Sequence, residues 1–506
     1  MARYKHYDYG QSKLLPVSFP EQILPGSFEH SLCYLIDHEL DLSVFEERYS
    51  NDEEGRPAYD PAILLKIVLL AYSRGVTSSR RIARLCEQNV MFMAVSADSR
   101  PHFTTIANFV SGYPEGIATL FRQVVLVCDE LGLIGGEMFA IDGCKLPSNA
   151  SKEWSGTRAD MSRKVAKLDR AVRRIVERHR KSDGKERDEE VSERERKQVK
   201  KLRRVSRKLK KFLATHDEKI GASGKPIQSN VTDNDSAKMK TSRGVIQGFI
   251  GVVGVDAKHQ VVVHAEAHGQ PQEHQLLKPA VEGIQQALEG ESKTGRLRNA
   301  KVIADSGYHS RSNVEYLEEQ NLDGYLADTG FRGRDPRFAT ARRHRPVRAP
   351  KKRFTVEDFD YDLKKRVCRC PAGKWMWLQC ARVKIQGYWF MQFKGHKADC
   401  ESCALRGQCL RSEDQKTPRM VNIQLGHTKE KAHSALERMK RKIDGFRGRH
   451  VYSFRLGVVE PVFGHITSVL GFKRFTLRGR NKVDGQWKLV TMLHNLLKIH
   501  RYAWST

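Results

Sequence analysis

Met138-Phe139-Ala140-Ile141-Asp142-Gly143 is a short apolar run that ends in a carboxylate and a glycine. Ala300-Lys301-Val302-Ile303-Ala304-Asp305-Ser306-Gly307-Tyr308 repeats the arrangement later in the chain. Each reads as a buried strand opening into a turn. A charge at the end of a buried strand is costly unless it is paired or bound to metal. The plainer alternative is that each Asp caps the turn after its strand, as Asp-Gly often does. If the two strands are neighbours in a sheet, their ends bring Asp142 and Asp305 into one site. Oxygen-only ligands select hard cations such as Mg²⁺. Two such ions about 3.5–4 Å apart clamp an in-line phosphoryl displacement.

The sequence between and beyond these runs completes a sheet. Residues 244 to 268 alternate and are rich in β-branched side chains, with Val245–Val253 and Val261–Val263 separated by the polar turn Asp256-Ala257-Lys258-His259. That is a hairpin. A helix follows (Leu276, Leu277, Val281, Ile284, Leu288), then the Asp305 strand, a helix over 312–320 and a strand at Tyr325-Leu326-Ala327. Strand, hairpin, helix, strand, helix, strand describes an α/β mixed sheet.

Residues 28 to about 125 read as helices. Asp60-Pro61 is a cap and first-turn proline, and Ile63, Leu64, Ile67, Val68 and Ala71 mark one buried face. Gly75 ends that helix, Ser78-Ser79 open another carrying Arg80 and Arg81, and Thr104-Thr105 open a third. Short helices with arginines outward suit either a helix-turn-helix DNA reader or a bundle whose arginines are merely solvated. Residues 158–219 hold 24 Lys+Arg against 12 Asp+Glu. Val165, Leu168, Val172, Ile175 and Val176, then Leu202, Val205, Leu209 and Phe212, keep helical spacing on either side of Ser182-Asp183-Gly184. This predicts an antiparallel, basic helical hairpin inserted into the sheet domain, binding phosphates or simply solvated.

The whole chain carries 89 Lys+Arg against 60 Asp+Glu over 506 residues, a formal charge of +29. Such an excess points to a polyanionic partner, nucleic acid first. A membrane reading is weaker, because Ala62 to Tyr72 is about half of the ~20 apolar residues needed to span and contains Lys66. The start, MARYKHYDYGQSK, has no apolar h-region, so a cytoplasmic location is expected.

A third carboxylate, Glu460, sits in Val459-Glu460-Pro461-Val462-Phe463-Gly464, inside an apolar stripe of Val462, Phe463, Ile466, Val469 and Leu470. Pro461 suggests that a helix begins or kinks there. With this block the chain resembles the DDE transposases of bacterial insertion sequences. The matching motifs are Ala140-Ile141-Asp142-Gly143, Ala304-Asp305-Ser306-Gly307-Tyr308 and Val459–Gly464, joined in the tail by Arg474-Phe475, Leu477-Arg478-Gly479 and His494-Asn495-Leu496. The resemblance covers nearly the whole chain. It implies an RNase H-like catalytic domain with an all-helical N-terminal region and nucleoid-associated action. It also implies a triad of Asp142, Asp305 and Glu460 holding two Mg²⁺ (or Mn²⁺). The implied partners are double-stranded DNA, both terminal inverted repeats and target, and a second copy of the chain, because two element ends must be joined.

Related transposases often carry Tyr, Arg, Glu and Lys around the last carboxylate, with three residues between Arg and Glu. Here Arg455 and Glu460 have four between them, and the Lys position is Thr467. Tyr452, Arg455, Lys473 and Arg478 are the DNA-binding candidates, together with Arg80 and Arg81.

Ten cysteines are too sparse for a disulfide scaffold, yet several cluster. Cys368-x-Cys370-Pro-x-Gly precedes Cys400-x-x-Cys403-x₅-Cys409. Separated arms of this kind suit a tetrahedral structural zinc, with Cys370 (or Cys368), Cys400, Cys403 and Cys409 as ligands. The competing role is that of small buried hydrophobes. Cys144 has no base in sight and is not expected to be a nucleophile.

The expected organisation is a helical DNA-binding domain over 1–130 and a first part of the catalytic core over 131–330, with the basic insertion at 155–220. A Cys-rich insertion over 331–445 follows, then core helices over 446–506. Two other functions fit the composition: a domesticated, non-catalytic, zinc-stabilised DNA-binding protein, and a nuclease for RNA–DNA hybrids. The presence of all three carboxylates argues against the first. The helical N-terminal region and the insertions argue against the second.

Overall fold

The computed structural model describes residues 16–48, 57–181, 189–221, 224–289, 295–338, 353–412 and 414–503. The expected turn at Ser182-Asp183-Gly184 and the basic stretch Arg342 to Lys352 lie outside them. The chain forms two compact units. One runs up to Tyr308 and adds Glu319–Gly324 and the chain from Ser453 onward; the other comprises His309–Glu318 and Tyr325–Tyr452.

The first unit is built on a mixed sheet. Its strands are β1 (Met138–Pro147), β4 (Ala237–Thr241), β5 (Gly244–Asp256), β6 (Val262–His268), β7 (Lys301–Ala304) and the start of β8 (Asp323–Leu326), with a two-residue pair β2 (Ser155–Gly156) and β3 (Ser229–Asn230) lying apart. β5 pairs antiparallel with β1 on one side and with β4 and β6 along the other, and β7 runs parallel to β1. This is the strand order of an RNase H-like sheet. From Gln247 to Asp256 β5 is buried throughout, which explains its nearly unbroken apolar run. β4 alternates exposed Lys238 and Lys240 with buried Met239, a half-buried strand whose single core residue gives too short an apolar signal to stand out in the sequence.

The C-terminal helix Arg480–Ala503 seals this sheet. Asn495 accepts from the Val262 N–H and donates to the Val262 carbonyl, both at 2.8 Å, and Asp484 accepts from the Ala267 N–H at 2.8 Å. Side chains thus satisfy the outer edge of β6, which would otherwise be left open. Trp487 Nε1 donates to the Val252 carbonyl at 2.9 Å, and its ring stands where a side chain on Gly251 would go, 2.7 Å from the Cβ position.

Among the N-terminal helices, Pro61–Ser73 is capped by Asp60, whose carboxylate accepts from the Ala62 N–H. Buried residues run from Leu64 to Tyr72 nearly all round it, so the single face expected from spacing is too narrow: this helix is surrounded by neighbours. The next helices are Ser79–Gln88 and Phe103–Gly112. The latter starts at Phe103 under a His102 ring cap rather than at Thr104. The basic hairpin is present as Arg158–Lys181 and Glu189–Thr215. Met161, Val165, Leu168, Val205, Leu209 and Phe212 form its seam, and Asp169 links the helices through Ser206 and Lys210, each at 2.7 Å. Among the described residues no helix is long and apolar enough to cross a membrane.

The second unit holds a five-stranded antiparallel sheet of β9 (Asp360–Asp362), β10 (Val367–Arg369), β11 (Trp375–Ile385), β12 (Tyr388–Lys394) and β13 (Met420–His427), in the order 13-12-11-10-9. Phe359, Cys368, Met376, Met391, Phe393, Val421 and Ile423 make its core.

Candidate active site

The register of two parallel strands builds the centre. Ile141 pairs with Ala304 in the β1–β7 ladder, so Asp142 and Asp305 are the next residues on adjacent strands and emerge side by side. Arg455, on the helix Phe446–Gly464, joins them: Nη1 donates to Asp142 Oδ2 at 2.6 Å, and Nη2 lies 3.6 Å from Asp305 Oδ1. Arg455 is buried, with its side chain 10% exposed, and Asp142 is nearly as enclosed at 15%. The Gly143 N–H donates to the other Asp142 oxygen at 2.8 Å.

Burial pushes the Asp142 carboxyl up to about 6, while Arg455 and the Gly143 N–H pull it down and Asp305 and Glu273 push it up further. Glu273 is a carboxylate that pattern reading passed over, since it sits in the irregular segment before helix Leu277–Glu289. Its own carboxyl is raised by burial and by Asp305, against Lys145, whose Nζ lies 3.6 Å away. Gly307 makes room for it: a Cβ there would stand 2.7 Å from a Glu273 carboxylate oxygen. Tyr308 is fully buried beside Gly143, and burial drives its phenol well up, with Glu273, Asp142 and Asp305 adding to the rise. Burial likewise holds the Cys144 thiol far above its ordinary range, Asp142 reinforcing it, so it is protonated at neutral pH and no nucleophile.

Glu460 lies five residues after Arg455 on the same helix, about 140° round its axis. It is exposed and, among the described residues, makes no hydrogen bond or ion pair. The expected stripe around it is partly present, with Val462, Ile466 and Leu470 buried but Val469 68% exposed. Pro461 lies inside the helix instead of starting it. Its missing N–H would leave the Gly457 carbonyl unpaired, and Gln260 Nε2 donates to that oxygen at 3.1 Å. Gln260, held at φ +60°, also receives a hydrogen bond from His494 Nε2 on its own carbonyl and from Lys498 Nζ on its Oε1. The tip of the β5–β6 hairpin therefore ties the Glu460 helix to the C-terminal helix.

The DNA-binding candidates divide. Arg80 and Arg81 are exposed on Ser79–Gln88, with the Arg80 guanidinium 4.9 Å from the Phe103 ring centre. Lys473 and Arg478 are exposed on the segment before the C-terminal helix, Arg478 also donating to the Asn149 carbonyl at 2.8 Å. A cleft of about 360 Å³ lined by Ser78, Ser79, Thr476 and Leu477 lies between these two basic segments. Tyr452, by contrast, is 7% exposed and edge-on to Phe331, and Arg455 faces the aspartates. Neither presents an open surface to DNA.

In the second unit Cys370, Cys400, Cys403 and Cys409 line one small cavity. Cys368 sits in the sheet core, 3.8 Å from Met376 Sδ. Among the described residues no group of three or more His, Cys, Asp or Glu side chains is placed to hold a metal ion, whether at these thiols or at Asp142, Asp305 and Glu460.

Three family models match the chain: a transposase domain (DUF772) over residues 18–112, and two transposase DDE domains over 210–371 and 369–500. The second spans Asp305 and the third Glu460, while Asp142 and most of the basic hairpin lie between the matched segments. No curated protein matches the chain.

Proposed function

The chain belongs to the DDE transposases of insertion sequences, and on that premise we propose that it binds the ends of its own element and catalyses their cleavage and transfer into target DNA. The observation that carries this reading is the β1–β7 register, which sets Asp142 beside Asp305 under one guanidinium.

The donor set fits a hard divalent cation. Asp142, Asp305 and the nearby Glu273 offer only oxygens, and the two aspartates already gather a positive charge between them. Asp142 and Asp305 would hold Mg²⁺; Glu460, exposed about 140° round its helix from Arg455, would have to swing towards them to complete the set. When bound, such ions supply an activated nucleophile and stabilise the leaving oxygen in phosphoryl transfer. Arg455 opposes the desolvation of Asp142, keeping its carboxyl ionised at neutral pH and so able to act as a ligand. Tyr308 and Cys144 stay uncharged beside it and so add no competing charge.

Duplex DNA is the proposed substrate. The exposed cations of the hairpin, of Ser79–Gln88 and of the Lys473–Arg478 segment would neutralise its backbone. Joining two ends calls for two copies of the chain. Purified protein should nick or cleave a duplex bearing the terminal repeats in the presence of Mg²⁺, and Asp305→Ala should abolish cleavage while keeping DNA affinity. Undiminished cleavage by that variant refutes the assignment. DNA binding with no cleavage by the unmodified protein favours a transposase retired to a binding role.

A further inference from the structure

We propose that Cys370, Cys400, Cys403 and Cys409 bind one structural zinc ion as thiolates, clamping the β10–β11 turn to the helical loop before β13. Three elements converge to present these sulfurs. Cys370 opens a tight turn, Cys370-Pro371-Ala372-Gly373, in which the Gly373 N–H donates to the Cys370 carbonyl at 2.8 Å and the Cys370 N–H to the Lys374 carbonyl at 2.9 Å. Gly373 holds φ +78°, the left-handed conformation that such a knuckle needs. Cys400 lies on the short helix Lys397–Glu401, Cys403 two residues beyond its end, and Cys409 closes the single turn Arg406–Cys409.

The four side chains border one cavity of about 40 Å³. That is room for an ion of this size rather than for an organic ligand. Gly395 admits the Cys400 sulfur, which lies 2.9 Å from where a Cβ on that residue would stand. Cys370 and Cys409 also pack against the sheet core, so the β10–β11 turn and the loop before β13 are already brought near one another. As ligands the four thiols each shed a proton, and the tetrahedral zinc–tetrathiolate carries a net double negative charge. Arg419, beside Cys409, and Arg406, which donates to the Cys400 carbonyl at 2.8 Å, are placed to offset it. Cys368 is excluded by its fully buried place against Met376. The thiols border the cavity but, as they stand, are not placed to hold an ion together, so binding would require them to move inward.

The test uses the full chain, free of any metal-binding tag. Protein prepared with sufficient zinc should contain one equivalent. Cobalt substitution should give the intense visible bands and thiolate charge-transfer absorption of a tetrahedral sulfur site. Cys370→Ser and Cys403→Ser should each fall from one equivalent to near none, while Cys380→Ser keeps it. Should the ligand variants fail to fold, thiol counting on the unmodified protein decides: four cysteines should be protected from alkylation with zinc bound and become reactive when a chelator removes it. Protein that binds no zinc overturns the proposal, as does retention of zinc in both ligand variants. A cobalt spectrum without thiolate charge transfer does so too, and reassigns the site to His396 and Asp399, which also border the cavity.

Discussion

Arg455 Nη1 stands 2.6 Å from Asp142 Oδ2, a contact between a helix near the C-terminus and the first strand of the sheet, with both side chains largely withdrawn from water. Removing one partner of a buried pair leaves the other charge uncompensated, which costs about 3–5 kcal/mol. Arg455→Ala should therefore lower the urea midpoint by a corresponding amount. Arg455→Ala combined with Asp142→Asn should recover much of it, since no lone buried carboxylate remains. Equal midpoints for the single and double variants would mean that the pair contributes nothing specific.

Glu273 shares the electrostatic field of Asp142 and Asp305 without hydrogen-bonding to either. Glu273→Gln keeps its shape and removes its charge. The Mg²⁺ concentration for half-maximal cleavage should rise, on the order of 10- to 100-fold as for supporting carboxylates at other metal sites, with DNA affinity unchanged. A Mg²⁺ titration of cleavage measures this. An unaltered curve would assign Glu273 to holding Lys145 alone.

The bond from Gln260 to the Gly457 carbonyl exists because Pro461 cannot make it. Gln260→Ala should cost roughly 0.5–1.5 kcal/mol, the net worth of an ordinary hydrogen bond, because the Gly457 acceptor is exposed and water can replace the lost donor. In a Pro461→Ala background the helix supplies its own N–H, so the same substitution should cost less. A double-mutant cycle on thermal or urea unfolding reads the coupling, and strict additivity contradicts the compensation.

His494 donates from Nε2 to the Gln260 carbonyl at 3.0 Å, so its Nδ1, 2.8 Å from His465 Nδ1, is an acceptor and the ring is neutral. Burial pulls this histidine down to about 3, the Gln260 carbonyl opposing, with His465 and Lys498 pulling further down. The unfolded chain takes up the proton near pH 6.5 and the folded chain does not. Stability from this ring is thus complete above that pH and declines as the pH falls from 6.5 towards 3, by at most about 1.4 kcal/mol per pH unit. His494→Gln should flatten that slope over pH 4–6.5 in urea titrations. An unchanged slope would place the acid sensitivity elsewhere, with buried His264, drawn down to about 4 by burial, the next suspect.

Arg203, Arg204 and Arg207 are exposed on the second helix of the hairpin. If they neutralise phosphates, replacing all three by Gln should weaken DNA binding across sequences. The slope of log affinity against log salt should flatten by about 0.9 for each phosphate no longer neutralised. A parallel shift of wild-type and variant with the same slope would leave the hairpin a solvated scaffold.

Much of this architecture can be read directly from the chain. The apolar runs leading to Asp142 and Asp305 are strands, but β1 carries on through Asp142-Gly143 to Pro147 where a turn is expected, because β5 pairs with it as far as Gly248. The 158–219 segment holds the paired helices with part of the expected seam (Val165, Leu168, Val205, Leu209 and Phe212), and Asp60 caps the helix expected of it. Local rules suffice there, because periodicity, turns and caps involve residues close in sequence. They fail where exposure depends on neighbours far along the chain. The helix Pro61–Ser73 is enclosed rather than one-faced, Pro461 is tolerated mid-helix because Gln260 compensates, and Tyr452 is turned away from solvent.

The sequence by itself singled out the candidate residues: two aspartates that follow apolar runs, a glutamate in a helical block, and thiols in two arms. It also determined the sign of the surface, through a charge of +29. Only the tertiary structure decided which of them meet. The parallel β1–β7 register puts Asp142 beside Asp305, Arg455 is committed to both, Glu273 joins from an irregular segment, and Cys370 rather than Cys368 reaches the thiol cavity. The reason is physical: composition and spacing specify each group's chemistry, while a carboxylate's ionisation and a thiol's partners depend on desolvation and distance. Those two quantities come into being only when remote segments pack together.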